Sequence, residues 1–379
     1  MKILQINASY KPAYIYGGPT MSVSKLSEEL LKAGHKVEVF TTTANGLDEL
    51  SVSINQPVIV DGVTVTYFTR VTKDHTHFSP SLLKTLWKRV NEFDIVHIHA
   101  WWNLVSVLSC AIALKKGAPV VLSPRGTLSN YSFGYRNIGS KQLLHRLVGK
   151  RLLSKCHIHT TSLAESEQVS QLIKPVSITT IPNFVKLAEI PHSEQPIDGA
   201  FKLLFFSRID EKKGLDILLN ALKNITIPYH LTIAGDGDKA YIDELKKLAT
   251  ANGVDKHITW AGFYNDDKFD MLQQHQLKIL PSHNENFGNV VIESLSVGTA
   301  VLLSKHVGLA HYIIENKLGW IGDTDAALLG QKITDIAVNH QTDLERIRAT
   351  APAIIHHDFN DDEIVKKYIN LYQTITQNV

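Results

Sequence analysis

Apolar residues along this chain follow two alternating rhythms. Short runs that are apolar nearly throughout predict strands buried on both faces of a parallel sheet, as at Lys2 to Asn7, Lys36 to Thr42 and Asp94 to His99. Between them lie longer stretches with apolar positions three or four apart. Thr20 to Ala33, closed by Gly34, and Asn103 to Lys116, closed by Gly117, are examples that predict amphipathic helices. The same reading gives strands at Val63 to Phe68, Pro119 to Ser123, His157 to Thr161 and Ile178 to Ile181. It gives helices at Pro80 to Asn91, Lys141 to Lys155 and Ala164 to Leu172. The polar segment Ile190 to Ala200, with two prolines and a glycine, breaks the rhythm and predicts a linker.

After the linker the alternation restarts. Strands are expected at Lys202 to Phe206, Leu231 to Ala234, His257 to Trp260, Leu277 to Leu280 and Ala300 to Ser304. Helices are expected at Leu215 to Asn224, Lys239 to Asn252, Asp266 to His275, Asn289 to Val297, Ala326 to Asn339 and Asp361 to Gln377. The pattern is α/β, with two doubly wound Rossmann-like domains facing each other across a cleft. The first spans 1–190, the linker 191–200 and the second 201–358, with 359–379 forming a C-terminal helix. Ligands of such folds bind outside the carboxyl ends of the strands.

The stretch Pro281 to Gly298, PSHNENFGNVVIESLSVG, stands out within that frame. A loop carrying Glu285, Phe287 and Gly288 leads into a helix from Asn289, with Val290 and Glu293 in its first turns. The first N–H groups of a helix have no partner within it and attract anions. The segment thus reads as a phosphate seat with a carboxylate at each end, suited to a molecule with sugar, diphosphate and ribose in a row. Acidic residues near a helix start also simply complement the helix dipole.

Composition narrows the class. A chain of 379 residues, 44% hydrophobic and 20% charged, is long enough for two cores. No apolar run approaches the length of a membrane span. The N-terminus reads as a first strand, not a signal peptide. The two cysteines, Cys110 and Cys156, show no zinc spacing, and free thiols fit a reducing cytoplasm. The net charge of +2 conceals an asymmetry. Residues 1–195 hold 21 Lys+Arg against 13 Asp+Glu, and the rest hold 18 against 24. A basic first half suits an anionic partner: a phosphate-bearing substrate, nucleic acid or an anionic membrane surface. The acidic second half and the lack of an aromatic-basic stripe count against nucleic acid.

Other candidates follow strands. Arg208 and Lys213, in FFSRIDEKKG, are placed to clamp a diphosphate, although a solvated basic turn reads the same way. Gly17-Gly18 after the first strand and Gly235-Asp236-Gly237 after a later one allow close backbone approach to an anion, or are merely tight turns. His99 ends its strand near the expected cleft. His97 and His99 are read as pointing to opposite faces, so that they do not share a metal. Arg125, in PRGT, is placed to reach the same cleft. The basic helix Lys141 to Lys155 has one face for the core and one for water, or for a shallow membrane contact.

In this order the pieces resemble the retaining glycosyltransferases of family 4, of GT-B fold, over almost the whole chain. The most specific match is E-x(7)-E, Glu285 to Glu293. The next is SRIDEKKG, with Ser207 where the family usually has glycine. Gly17-Gly18, the H-x-H strand ending in His99, Ile181-Pro182-Asn183 and Gly235-Asp236-Gly237 also match. PRGTLSNYS is similar to a subgroup that builds bacterial surface polysaccharide or lipopolysaccharide. One departure is Gly308, Leu309 and Tyr312 where G-G-x-x-E is frequent.

The resemblance implies a retaining transferase of hexosyltransferase type, taking a sugar from a UDP- or GDP-sugar with no cofactor and no obligatory metal. The acceptor would be a glycan or lipid-diphosphate-linked hydroxyl, at the inner face of the plasma membrane or in the cytoplasm. Arg208 and Lys213 would hold the diphosphate, Glu293 the ribose and Glu285 the sugar. Backbone N–H groups from Phe287, Gly288, Asn289 and Val290 would meet sugar and phosphate. Gly18 would approach the phosphates and His99 the reacting sugar, with Gly17 and Arg125 on the acceptor side. Gly235 and Phe263, with Tyr264, would border the nucleotide, and the final helix would cross back to the first domain. An epimerase of the same fold and a non-catalytic nucleotide-sugar-binding protein are the rival readings.

Overall fold

The computed structural model describes residues 1–129, 145–188, 199–264 and 268–377. The linker expected at 191–200 therefore lies almost wholly outside the described residues. So do Asn130 to Ser132, the start of the helix expected from Lys141 and the start of the one expected from Asp266. The chain divides into two compact units. One comprises Met1–Phe184 with Asp361–Val379, and the other Val185–Asn360.

The first unit is built on a parallel sheet. Its strands are β1 (Lys2–Ile6), β2 (Lys36–Thr42), a hairpin of β3 (Ala44–Asn45) and β4 (Asp48–Glu49) outside the sheet, β5 (Pro57–Val60) and β6 (Val63–Phe68). They continue with β7 (Ile95–His99), β8 (Val120–Ser123), β9 (His157–Thr160) and β10 (Ser177–Thr180). The order is β10-β9-β8-β7-β1-β2-β6-β5, with only β5 antiparallel. Strand β5 has a proline and exposed alternate positions, so it lacks the continuous apolar signature and is not expected from sequence. The central strands are buried end to end, as the apolar runs require.

His97 and His99 do not face opposite ways. Their ring centroids are 4.2 Å apart. Two residues is one full repeat of the pleat, so positions i and i+2 share a face. The same face receives the helix Asp361–Gln377, whose buried residues Ile364, Val365, Tyr368, Leu371, Tyr372 and Ile375 form one stripe at helical spacing. Tyr372 donates to His97 Nδ1 at 2.7 Å, and Tyr368 lies against His159.

The second unit carries β11 (Phe201–Phe206), β12 (Tyr229–Ala234), β13 (Ile258–Gly262), β14 (Leu277–Leu280), β15 (Ala300–Ser304) and β16 (Gly319–Gly322). Their order is β13-β12-β11-β14-β15-β16, all parallel. Two helices and one strand here are not expected from sequence. Strand β16 has glycine at both ends. The helix Ala310–Glu315 is short, and Gln341–Asp358 contains Pro352 and only a thin stripe of Leu344, Ile347, Ala351 and Ile355.

Each sheet reverses its winding once. In the first unit the reversal lies between β1 and β7, and in the second between β11 and β14. Loops leaving two neighbouring strands diverge at such a point and leave a crevice at the carboxyl ends. The chemistry-bearing residues are found there.

Candidate functional site

At the reversal of the second sheet the loop after β11 meets the loop after β14. Lys213 ends a short 3-10 turn, Glu211–Lys213, rather than starting a helix. The left-handed Gly214 separates it from the helix Leu215–Ala221. A Cβ at Gly214 would lie 2.3 Å from the Pro281 carbonyl oxygen, so the two loops touch through backbone. That contact brings the Lys213 ammonium into an ion pair with Glu285, each side chain less than one-fifth exposed. Burial disfavours the Glu285 charge, but Lys213, with Lys212 and Lys278 behind it, outweighs that and holds the carboxyl below its ordinary range.

Glu285 is also fixed through its backbone. Its N–H donates to His306 at 3.0 Å, and its carbonyl accepts from Gly308 at 2.7 Å. The segment that departs from the G-G-x-x-E pattern thus clamps Glu285 by main chain, and Tyr312 turns away to donate to Asp358 at 2.6 Å.

The helix Asn289–Ser296 begins at Gly288, at φ 91°, a residue with no side chain of its own to cap it. Its first turn follows directly on the loop that carries Glu285, and the first N–H groups of a helix have no partner further along it. Phe287 is buried in edge contact with Phe359, so only its backbone is offered to a ligand. Glu293 sits just over one turn inside, mostly covered, and pairs with Lys268 at 3.0 Å. Arg208 is 64% exposed, and its nearest carboxylate is Asp210 at 3.5 Å. The two cations expected together are thus differently employed, Lys213 held and Arg208 reaching into solvent.

The loop bearing Arg208 rests on the next turn. A Cβ at Gly235 would fall 1.9 Å from the Ser207 carbonyl oxygen, at φ 148°. Gly235 is therefore a packing requirement of the Arg208 loop. Phe263, 74% exposed, and Tyr264 follow β13.

At the reversal of the first sheet, Gly17 (φ 61°) precedes the helix Gly18–Lys32, which opens with Pro19. Ser9 and Thr20 hydroxyls meet at 3.1 Å across that turn. His99 is fully buried and donates from Nε2 to Gln5 at 2.6 Å, while its Nδ1 accepts from Arg125 Nε at 3.2 Å. Arg125 has a left-handed backbone (φ 51°) and also donates to Asn183 at 3.0 Å. Burial, reinforced by His97 and Arg125, pushes His99 well below the ordinary histidine range, so it is neutral.

Three groups escape the sequence reading. Lys268 and His306 have neither spacing nor motif to mark them. Lys278 has a signal: it is a lysine within the apolar strand β14. Among the described residues no cluster of three or more His, Cys, Asp or Glu has a metal-holding arrangement, and no helix is long and apolar enough to cross a membrane. Cys110 and Cys156 are free and buried, their sulfurs 3.5 Å apart.

Two parallel sheets, each with its polar groups gathered at the point of reversed winding, define a GT-B architecture. Sucrose-phosphate synthase from Thermosynechococcus elongatus has the same fold, with a TM-score of 0.78 at 18% identity over 100% of both chains. The Anabaena protein HepE, crystallised with UDP-glucose, gives a TM-score of 0.76 at 20% identity over 99% of this chain and 100% of that one. Sequence comparison then specifies the family. The description "Glycosyltransferase Family 4" matches residues 16–189, and "Glycosyl transferases group 1" matches residues 188–352. The chain belongs to the GT-B glycosyltransferases assembled from these two domains. Glycogen synthase of Mycobacterium tuberculosis is 25% identical over 84% of this chain and 81% of its own.

Proposed function

We propose that this glycosyltransferase moves a hexose from a nucleotide diphosphate sugar to an acceptor hydroxyl with retention at the anomeric carbon. The observation that carries the reading is the Lys213–Glu285 pair beside the helix start at Gly288, at the reversal of the second sheet. The diphosphate takes Lys213, Arg208 and the N–H groups from Phe287 to Val290. Glu293 accepts from the ribose hydroxyls and Glu285 from the sugar. Gly235, Phe263 and Tyr264 border the nucleotide. In the first unit Gly17 and Arg125 serve the acceptor side, and the buried His99 acts there by holding Arg125.

As the bond between C1 and the phosphate oxygen breaks, the sugar approaches an oxocarbenium ion and negative charge gathers on the leaving diphosphate. Lys213, Arg208 and the helix start stabilise that charge, with no metal required. The acceptor oxygen attacks the same face and its proton passes to the departing phosphate, so Glu285 forms no covalent bond. A lipid-linked or surface-polysaccharide acceptor suits the PRGT segment. It also suits a groove in the first unit lined by Arg146, Lys150, Arg151 and Lys174, with no acidic residue among the described lining residues, a site for peripheral contact with an anionic surface.

The test is a panel of UDP-, GDP- and ADP-sugars, each screened for thermal stabilisation and then incubated with and without glycan and lipid-linked acceptors. Proton NMR of the product reads the anomeric configuration. Retention with acceptor-dependent release of nucleotide supports the proposal. Inversion removes its stereochemistry, and isomerisation of donor alone points to an epimerase.

A further inference from the structure

Lys278 lies on β14, a central strand of the second sheet, paired in register with Leu204 on β11 and Val301 on β15. It is wholly buried, and its ammonium has no hydrogen-bond partner among the described residues. Leu204 belongs to the core cluster that includes Met271, Leu272 and Val297, with Val290 packed on it. Lys278 therefore occupies the sheet face covered by the helix Asn289–Ser296. The charged groups acting on it are Lys213 from the loop after β11, Glu285 from the loop after β14, and Glu293 from that helix. All three belong to the donor site proposed above. An unpaired ammonium in such a place opposes folding, and apolar neighbours on both strands show that a leucine or methionine would suit the fold better.

We propose that Lys278 is a positioning residue of the donor site, the buried amine behind Glu285 and Glu293 whose charge, taken up as donor binds, holds both carboxylates in place when Lys213 turns to a diphosphate. The inference rests on the donor reading of that site. In the resting protein Lys213 is committed to Glu285, and a diphosphate competes for the same ammonium. Lys278, out of reach of solvent, supplies the replacement field without touching the ligand. Burial, reinforced by Lys213, lowers its pKa to about 7 against the pull of Glu285 and Glu293. A bound anion favours the charged form, so donor binding draws a proton onto Lys278 near neutral pH.

The test compares the wild type with Lys278→Met, which keeps the length, and Lys278→Arg, which keeps the charge. Without ligand, Lys278→Met raises the urea midpoint at pH 7.5, and the advantage shrinks towards pH 10 as the unfolded lysine also loses its proton. A lowered midpoint marks a structural lysine with a hidden partner and overturns the proposal. UDP-glucose, GDP-mannose and ADP-glucose are the donor probes, because their diphosphates do not titrate between pH 6 and 9. Wild-type affinity for the accepted probe falls about tenfold across that range, the effect of one unit of linked pKa. Lys278→Met binds weakly with a flat profile and a higher KM at little-changed kcat, while Lys278→Arg regains affinity at high pH. Equal affinities and profiles in wild type and Lys278→Met overturn the role of Lys278 alone. A wild type that binds none of the three probes removes the donor reading, and the inference with it.

Discussion

Replacing Lys213 by methionine separates what this lysine does for the fold from what it does for the donor. In the folded protein its ammonium pairs with Glu285, and the two side chains are 15% and 18% exposed. The substitution leaves a carboxylate that burial already disfavours without its nearest countercharge. Breaking a fully buried pair from one side costs about 3–5 kcal/mol. Partial exposure here, with Lys212 and Lys278 still nearby, reduces the expectation to about 1–3 kcal/mol. Glu285→Gln in the same chain removes the orphaned charge, so Lys213→Met/Glu285→Gln recovers most of that loss. Stabilisation of a leaving diphosphate is not recovered, because removing one preorganised donor costs about 10²–10³ in rate. Urea unfolding followed by circular dichroism reads the first quantity. Acceptor-dependent release of nucleoside diphosphate reads the second. Near-wild-type turnover in Lys213→Met, or turnover that returns with stability in the double variant, refutes the assignment of Lys213 to the diphosphate.

Three further outcomes follow from the same geometry. Gly235→Ala places a Cβ 1.9 Å from the Ser207 carbonyl oxygen and moves the Arg208 loop; a stability loss of about 2 kcal/mol or more is expected, and an unchanged urea midpoint contradicts it. Tyr372→Phe removes the hydroxyl that His97 Nδ1 accepts, at a cost of about 1 kcal/mol, and Tyr372→Ala costs about 3–5 kcal/mol by emptying the site; equal effects of the two refute the packing account. The third is acid sensitivity, carried by a neutral chain from Tyr372 to His97 to Ser123 to His159 to the Ile181 carbonyl. Burial, reinforced by Arg125, lowers His159 to about 3. Its folded pKa lies below the unfolded one, so the unfolded chain binds the extra proton. Stability is then complete above about pH 6.5 and falls by about 3 kcal/mol at pH 4.5 for this residue alone. A stability flat from pH 7 to 4.5 contradicts it.

Much of this molecule is written in its local pattern. The apolar runs at Lys36–Thr42, Val63–Phe68, Leu277–Leu280 and Ala300–Ser304 are strands at those bounds, and Ala326–Asn339 and Asp361–Gln377 are helices at theirs. A strand buried on both faces needs an unbroken apolar run, and a helix on a sheet needs a stripe, so each element carries its own signature. Where the signature is diluted, by glycine in β16 or by Pro352 in the helix Gln341–Asp358, the element is visible only once folded.

Glu285, Glu293 and Gly288 are also legible as candidates, because a helix start and its flanking charges lie close together in sequence, and Lys213 is legible because it follows a strand of the second domain. What each charge faces is not legible. Lys213 and Glu285 are 72 positions apart, and they meet because β11 and β14 are neighbours at the reversal of the sheet. The same adjacency leaves Arg208 in solvent and puts Lys278 beneath the pair, without a hydrogen-bond partner among the described residues. The sequence by itself determined which segments are strands and helices and which residue types stand at their ends. Tertiary structure alone decided which charges neutralise one another, since a Coulomb interaction depends on distance and on the water excluded between the charges, and neither is set by position along a chain.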